Sequence, residues 1–261
     1  MLQVDLQMLT PTVKKLMIAC GAVFLLQLLM PFRYKLGFLS FFGLGVEGIA
    51  RGWFWQFATY AFLHGNFLHV FLNMIGLFFL GPELERYLGS RNFFTMFMFS
   101  AVIGGIGWLA LTWPYEGICI GASGGVFGLI GAFAGLFPHR QLTLLVFFVL
   151  PVTMPAWLLA VLFGVMQLAY LLTPGESGIA YAAHLAGGVA GYLFTRVMFR
   201  RGGMQTASYT RTFTSTPPSQ PSAPTRAEID AILDKISRDG LHALTPRERD
   251  LLQKAGRAHY R

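Results

Sequence analysis

Gly121-Ala122-Ser123-Gly124-Gly125-Val126-Phe127-Gly128 sets a single hydroxyl among glycines at the start of an apolar stretch otherwise poor in polar groups. A hydroxyl in that setting either packs helices or does chemistry. Downstream, Ala183-His184-Leu185-Ala186-Gly187-Gly188-Val189-Ala190-Gly191 holds a second lone polar residue in a glycine-rich apolar run. A nucleophile and a base are thus both available inside hydrophobic segments.

The rest of the chain says what those segments are. Hydrophobic residues make up 54% of 261 and charged residues only 12%, with a mean hydropathy of +0.55. That composition excludes an ordinary soluble domain and points to a polytopic membrane protein. A hydrocarbon core about 30 Å thick needs roughly 20 helical residues. The runs 16–30, 62–80, 93–112, 123–137, 154–172 and 179–199 approach or reach that length. The expected fold is an all-α membrane bundle of six spans with a short span 4. Span 1 is too interior and too long for a removable signal peptide and has no small-residue cleavage site, so it is expected to stay attached.

The net charge of +8 could suggest nucleic acid, but the basic residues cluster at span ends and in the tail, which suits membrane topology. Lys14 and Lys15 precede span 1, Arg86 and Arg91 follow span 2, His139 and Arg140 follow span 4, and Arg196, Arg200 and Arg201 close span 6. Both termini are therefore expected on the cytoplasmic side, with Arg33, Lys35 and Arg51 dissenting, and no nucleic-acid partner is expected. Cys20 and Cys119 show neither metal-ligand spacing nor a disulfide framework and read as apolar fillers.

Between spans 1 and 2, the aromatic stretch 32–60 with Trp53, Phe54 and Trp55 is expected at the outer membrane interface. Pro151 and Pro155 leave the start of span 5 undefined. After the membrane domain, 1–202, the composition turns to Gly, Ser, Thr, Pro and Gln over 203–224, a flexible linker. The tail, 225–261, reads as a small cytoplasmic helical hairpin. Thr225 with Glu228 and Thr245 with Glu248 fit capping boxes, Pro246 suits a first helical position and Gly240 a helix end.

With a cytoplasmic amino terminus, spans 2, 4 and 6 run inward from outside, and their polar residues share the outer part of the bilayer. His184 lies about 8 Å and His69 about 10 Å into their spans at 1.5 Å per residue. Span 4 covers only about 22 Å, so the connection 113–120 must dip into the membrane, where nonhelical backbone lines a wet cavity or is buried in protein. Gly121, Gly124, Gly128, Gly131 and Gly135 form one stripe and His184, Gly187 and Gly191 share a face, so spans 4 and 6 can approach closely.

In that arrangement His184 could take the Ser123 proton and return it to a leaving amine. No Asp or Glu lies in the outer part of any span, so the remaining option is a dyad without a third member. His69 and Asn73, i and i+4, could donate to a developing oxyanion. The bland alternatives are a packing serine, an interhelical histidine hydrogen bond, and polar glue or an ion pathway at His64, His69 and Asn73.

Gly121-x-Ser123-Gly124-x-x-x-Gly128, Ala183-His184-x-x-Gly187-x-x-x-Gly191, His64-x-x-x-x-His69-x-x-x-Asn73 and Leu84-Glu85-x-x-x-Gly89 occur here together. On these motifs the chain resembles the rhomboid intramembrane serine proteases over residues 10–200, in their bacterial six-span form. The resemblance implies Ser123 as nucleophile, His184 as base, His69 and Asn73 as oxyanion donors and His64 in support. It further implies single-span membrane-protein substrates, a lipid bilayer of the bacterial inner membrane as surroundings, and no cofactor. Two positions depart: Trp55-Gln56 stands where many members carry Trp-Arg, which puts the pinning of the first loop in question, and Phe127 replaces a frequent Tyr. An inactive rhomboid-like binder or chaperone and a transporter are the competing classes. The absence of intramembrane Asp, Glu, Lys or Arg argues against the latter. The oligomeric state and the job of the tail stay open.

Overall fold

The computed structural model describes residues 9–113, 117–146, 149–173, 179–201, 226–240, 243–245, 248–249 and 251–252. Pro11 opens the first helix, where a missing N–H costs nothing, and α1 runs Pro11–Leu29. The aromatic stretch that follows folds as α2 (Phe32–Phe42), the two-residue strand β1 (Leu44–Gly45), α3 (Val46–Ala50), α4 (Gln56–Thr59) and a 3₁₀ turn, Tyr60–Phe62. Asn66 then caps α5 (Phe67–Leu88), accepting from the His69 N–H at 2.8 Å. The second apolar run therefore becomes helical at Phe67 rather than 62 and continues through Pro82 to Leu88. Gly89, at φ +77°, reverses the chain into α6 (Ser90–Thr112).

Beyond α6 come β2 (Ile118–Cys119), α7 (Ser123–Leu136), β3 (Gln141–Val146), β4 (Leu150–Pro155), α8 (Ala156–Leu172) and α9 (Ile179–Arg201). The expected all-α bundle is mostly helical, and two small antiparallel sheets are added to it. Leu44 and Gly45 pair with Cys119 and Ile118, and β3 pairs with β4 in a hairpin. The hairpin also resolves the start of the fifth run. Met154 and Pro155 belong to the strand, and Pro155 stands at the N-cap of α8, because proline lacks the N–H a helix interior needs.

Among the described residues α1, α5 and α6 are long and apolar enough to cross a membrane, and α7 and α8 are shorter apolar helices. Glycines set how they pack. A Cβ built on Gly131, Gly187 or Gly191 would overlap the carbonyl oxygen of Gly188, Gly124 or Gly128 respectively, so α7 and α9 meet backbone to backbone. On the other side of α7, α6 supplies Phe97 against Gly125 and Ser100 against Gly128. Gly121 departs from the expected stripe: it lies ahead of α7 and faces His69 instead.

At the far ends of α1 and α5, the Glu85 carboxylate accepts from the Thr12 and Val13 N–H groups at 2.9–3.0 Å and from the hydroxyls of Thr10 and Ser90. A carboxylate there satisfies the orphan donors of the first turn of α1 and suits its dipole.

The chain divides into two compact units, Met1–Met204 and Gln205–Arg261. In the second, α10 (Arg226–Asp239) ends at Gly240, at φ +81°, whose N–H bonds the Ile236 carbonyl at 2.9 Å. Thr245 and Glu248 form a reciprocal capping box: Thr245 N–H to Oε2 at 2.7 Å and Glu248 N–H to Oγ1 at 3.3 Å. Residues 248–249 and 251–252 are helical, and Lys235 Nζ donates to both Glu248 oxygens at 2.9 and 3.0 Å. The linker 203–224, Thr225 of the first capping box and Pro246 lie outside the described residues.

Candidate active site

Ser123 is the first residue of α7, where the unsatisfied N–H groups and the helix dipole give partial positive charge. The backbone reaches it through Gly121, whose φ of +126° is a conformation that favours glycine. The Gly121 N–H bonds the Tyr60 carbonyl at 2.9 Å. A Cβ at Gly121 would also stand 2.5 Å from His69 Nε2 and 3.6 Å from Ser123 Oγ. Space for the imidazole beside the hydroxyl is thus a second reason for glycine there.

The glycine seam brings α9 to the same place. His184 Nε2 lies 2.8 Å from Ser123 Oγ. The Phe127 ring stacks on the imidazole with centroids 4.3 Å apart and planes inclined by 3°, so the tyrosine-to-phenylalanine departure leaves the stack in place. His184 Nδ1 lies 2.8 Å from Gln167 Oε1, an amide oxygen on α8. That third neighbour was missed in the sequence, where only Asp and Glu were sought. The available signal was one buried amide in Ala-Trp-Leu-Leu-Ala-Val-Leu-Phe-Gly-Val-Met-Gln-Leu-Ala-Tyr-Leu-Leu.

On α5, His69 occupies the third helical position, nearer the helix start than the sequence suggested. Asn73 is buried, and its Nδ2 donates to the His69 carbonyl at 2.8 Å. The imidazole of His69 faces the approach to Ser123, whereas at least one amide hydrogen of Asn73 is engaged by its own helix. His64 packs edge-on to His69 with centroids 5.1 Å apart. Its backbone is clamped by Gln27 of α1, whose amide donates to the His64 carbonyl and accepts its N–H, both at 3.1 Å.

Gln56 answers the question of the first loop. Its buried amide donates to the Ser40 and Phe41 carbonyls at 2.8 and 3.3 Å and accepts the Gly45 N–H at 3.1 Å. The loop is pinned by an amide instead of a guanidinium. Among the described residues no group of three His, Cys, Asp or Glu is assembled that could hold a metal ion.

The model of the rhomboid domain matches residues 51–201, more than half of the chain. The chain belongs to the rhomboid family. It is 38% identical over 140 residues to "Rhomboid protein 1, mitochondrial" of Saccharomyces cerevisiae, covering 51% of this chain and 39% of that protein. It is 38% identical over 86 residues to the "Putative rhomboid protease YdcA" of Bacillus subtilis, 33% of this chain and 43% of that one. With the "Rhomboid protease GlpG" of Yersinia pestis it shares 26% over 195 residues, 70% of this chain and 61% of that one. The matches span less than two thirds of these relatives' own length. Residues 223–257 match a family of unknown function, DUF6576. This rhomboid is an integral membrane protein of mostly helical build.

Proposed function

We propose that this rhomboid is an intramembrane serine endopeptidase that cleaves single-span membrane proteins, with Ser123 as nucleophile and His184 as base. The 2.8 Å contact between Ser123 Oγ and His184 Nε2, at the amino end of a helix, carries the reading. The Ser123 proton moves to Nε2 as Oγ bonds the scissile carbonyl carbon. The imidazolium then returns that proton to the amine as the C–N bond breaks. Water, activated by the same nitrogen, releases the acyl group and regenerates the hydroxyl.

The oxyanion of each tetrahedral intermediate would meet the positive end of α7 and the imidazole of His69, with Asn73 donating after it turns from the His69 carbonyl. The chemistry is complete without a cofactor. The accompanying topology is six spans, with a short fourth, in a bacterial inner membrane, both termini cytoplasmic. The domain 1–202 carries catalysis and the module 225–261 is appended through 203–224.

The test is cleavage of a tagged single-span protein in liposomes by wild type, Ser123→Ala and His184→Ala. Loss of cleavage and of fluorophosphonate labelling in Ser123→Ala is the expected result. Cleavage that persists in Ser123→Ala rejects the serine mechanism.

A further inference from the structure

An imidazole is useful as a base only in the tautomer that leaves its lone pair facing the nucleophile. In a soluble protease an ionised acid on the far nitrogen commonly enforces that tautomer, but a buried carboxylate is costly inside a membrane. Gln167 stands at this point. It is 4% exposed, one of three buried residues of α8, and the other two are Ala156 and Leu159. An amide held in so apolar a helix must find a partner, and its partner is His184.

We propose that Gln167 is the positioning residue of the catalytic base: its amide oxygen accepts the Nδ1 proton of His184 and thereby keeps the Nε2 lone pair on Ser123. An amide oxygen can only accept, so a 2.8 Å contact from Nδ1 to Oε1 requires the proton on Nδ1. The Ser123 hydroxyl is then the donor in the second 2.8 Å contact, to Nε2. The opposite amide orientation would donate to Nδ1, drive the proton to Nε2 and disable the base. Three fixed contacts therefore define the ring: Phe127 holds its plane, Gln167 its rotation and tautomer, and Ser123 receives its lone pair. Neutral Gln167 also orients the imidazolium formed during acylation without placing a second charge in the bilayer.

The inference rests on the proteolytic reading above, and the experiment separates the two. Wild type, Gln167→Leu, Gln167→Glu and Ser123→Ala are reconstituted as full chains in liposomes. Each is assayed for kcat and KM on a tagged single-span substrate, for fluorophosphonate labelling rate and for thermal midpoint. Leucine keeps the bulk but removes the acceptor, so kcat falls about 10- to 100-fold, the range expected when a hydrogen bond to a group that becomes charged is lost. KM and the thermal midpoint stay near wild type, and labelling slows by the same factor as kcat. Glutamate restores an acceptor once ionised, which its burial resists, so its rate recovers as pH rises while the leucine variant stays low at every pH.

Gln167→Leu at wild-type kcat overturns the inference. So does equal loss in the leucine and glutamate variants at every pH accompanied by a lowered thermal midpoint, which marks a structural role. If cleavage survives Ser123→Ala, the proteolytic reading fails instead.

Discussion

α9 and α8 both pack on α7, but by opposite means. α9 meets it through glycine backbone, with Gly187 and Gly191 against the carbonyls of Gly124 and Gly128. α8 buries only Ala156, Leu159 and Gln167 and leaves Val161, Leu162, Val165 and Leu168 largely exposed. The difference teaches how the work is shared. Backbone contact sets the separation of the helices that carry Ser123 and His184, whereas a lightly held helix contributes one amide that orients the ring.

The most damaging way to break that contrast is to put side chains into the seam. Gly191→Val drives a branched Cβ into the Gly128 carbonyl. It is expected to cost at least about 3 kcal/mol and to abolish activity, read as loss of a cooperative thermal transition in detergent. His184→Ala tests the seam in the other direction. Cleavage should drop by about 1000-fold or more while the transition is retained, since the helices meet through glycines and not through the imidazole.

Phe127→Ala removes the ring that holds the imidazole plane. A stacking contribution of about 1 kcal/mol predicts a kcat roughly 5-fold lower, measured beside an unchanged KM. The gentlest probe lies on α8 itself: a Cβ on Gly164 would meet nothing within 4 Å. Gly164→Ala should leave kcat unchanged and raise stability by about 0.5–1 kcal/mol through helix propensity. A clear loss of stability there would mean that α8 is packed as closely as α9.

The glycine spacing in runs 123–137 and 179–199 pointed to a close approach of α7 and α9, because small residues repeated at helical spacing let backbones come together. It did not show that Gly125 and Gly128 also make room for Phe97 and Ser100 of α6. Gln167 escaped for the opposite reason. A single amide in an apolar run has no period, and only the three-dimensional path of α8 brings it to His184. The β3–β4 hairpin was equally hidden: prolines at 151 and 155 forbid a helix interior without stating what replaces it. At α5, aromatic and apolar residues before Asn66 extended the hydrophobic run past the true helix start, and the cap decided the boundary. Gln56 shows that a loop can keep its anchor while the residue type changes, since three backbone partners ask only for an amide-sized donor and acceptor.

Ser123 precedes His184 by 61 residues, and this spacing has a temporal side. On a ribosome working toward the carboxyl end, the hydroxyl emerges well before the imidazole that would take its proton, and Gln167 also comes before its ring. On the proposed reading, the nascent chain carries a nucleophile that cannot attack anything until α9 has been made and docked. On that reading, the order of synthesis alone keeps the hydroxyl without its base for as long as the chain is unfinished.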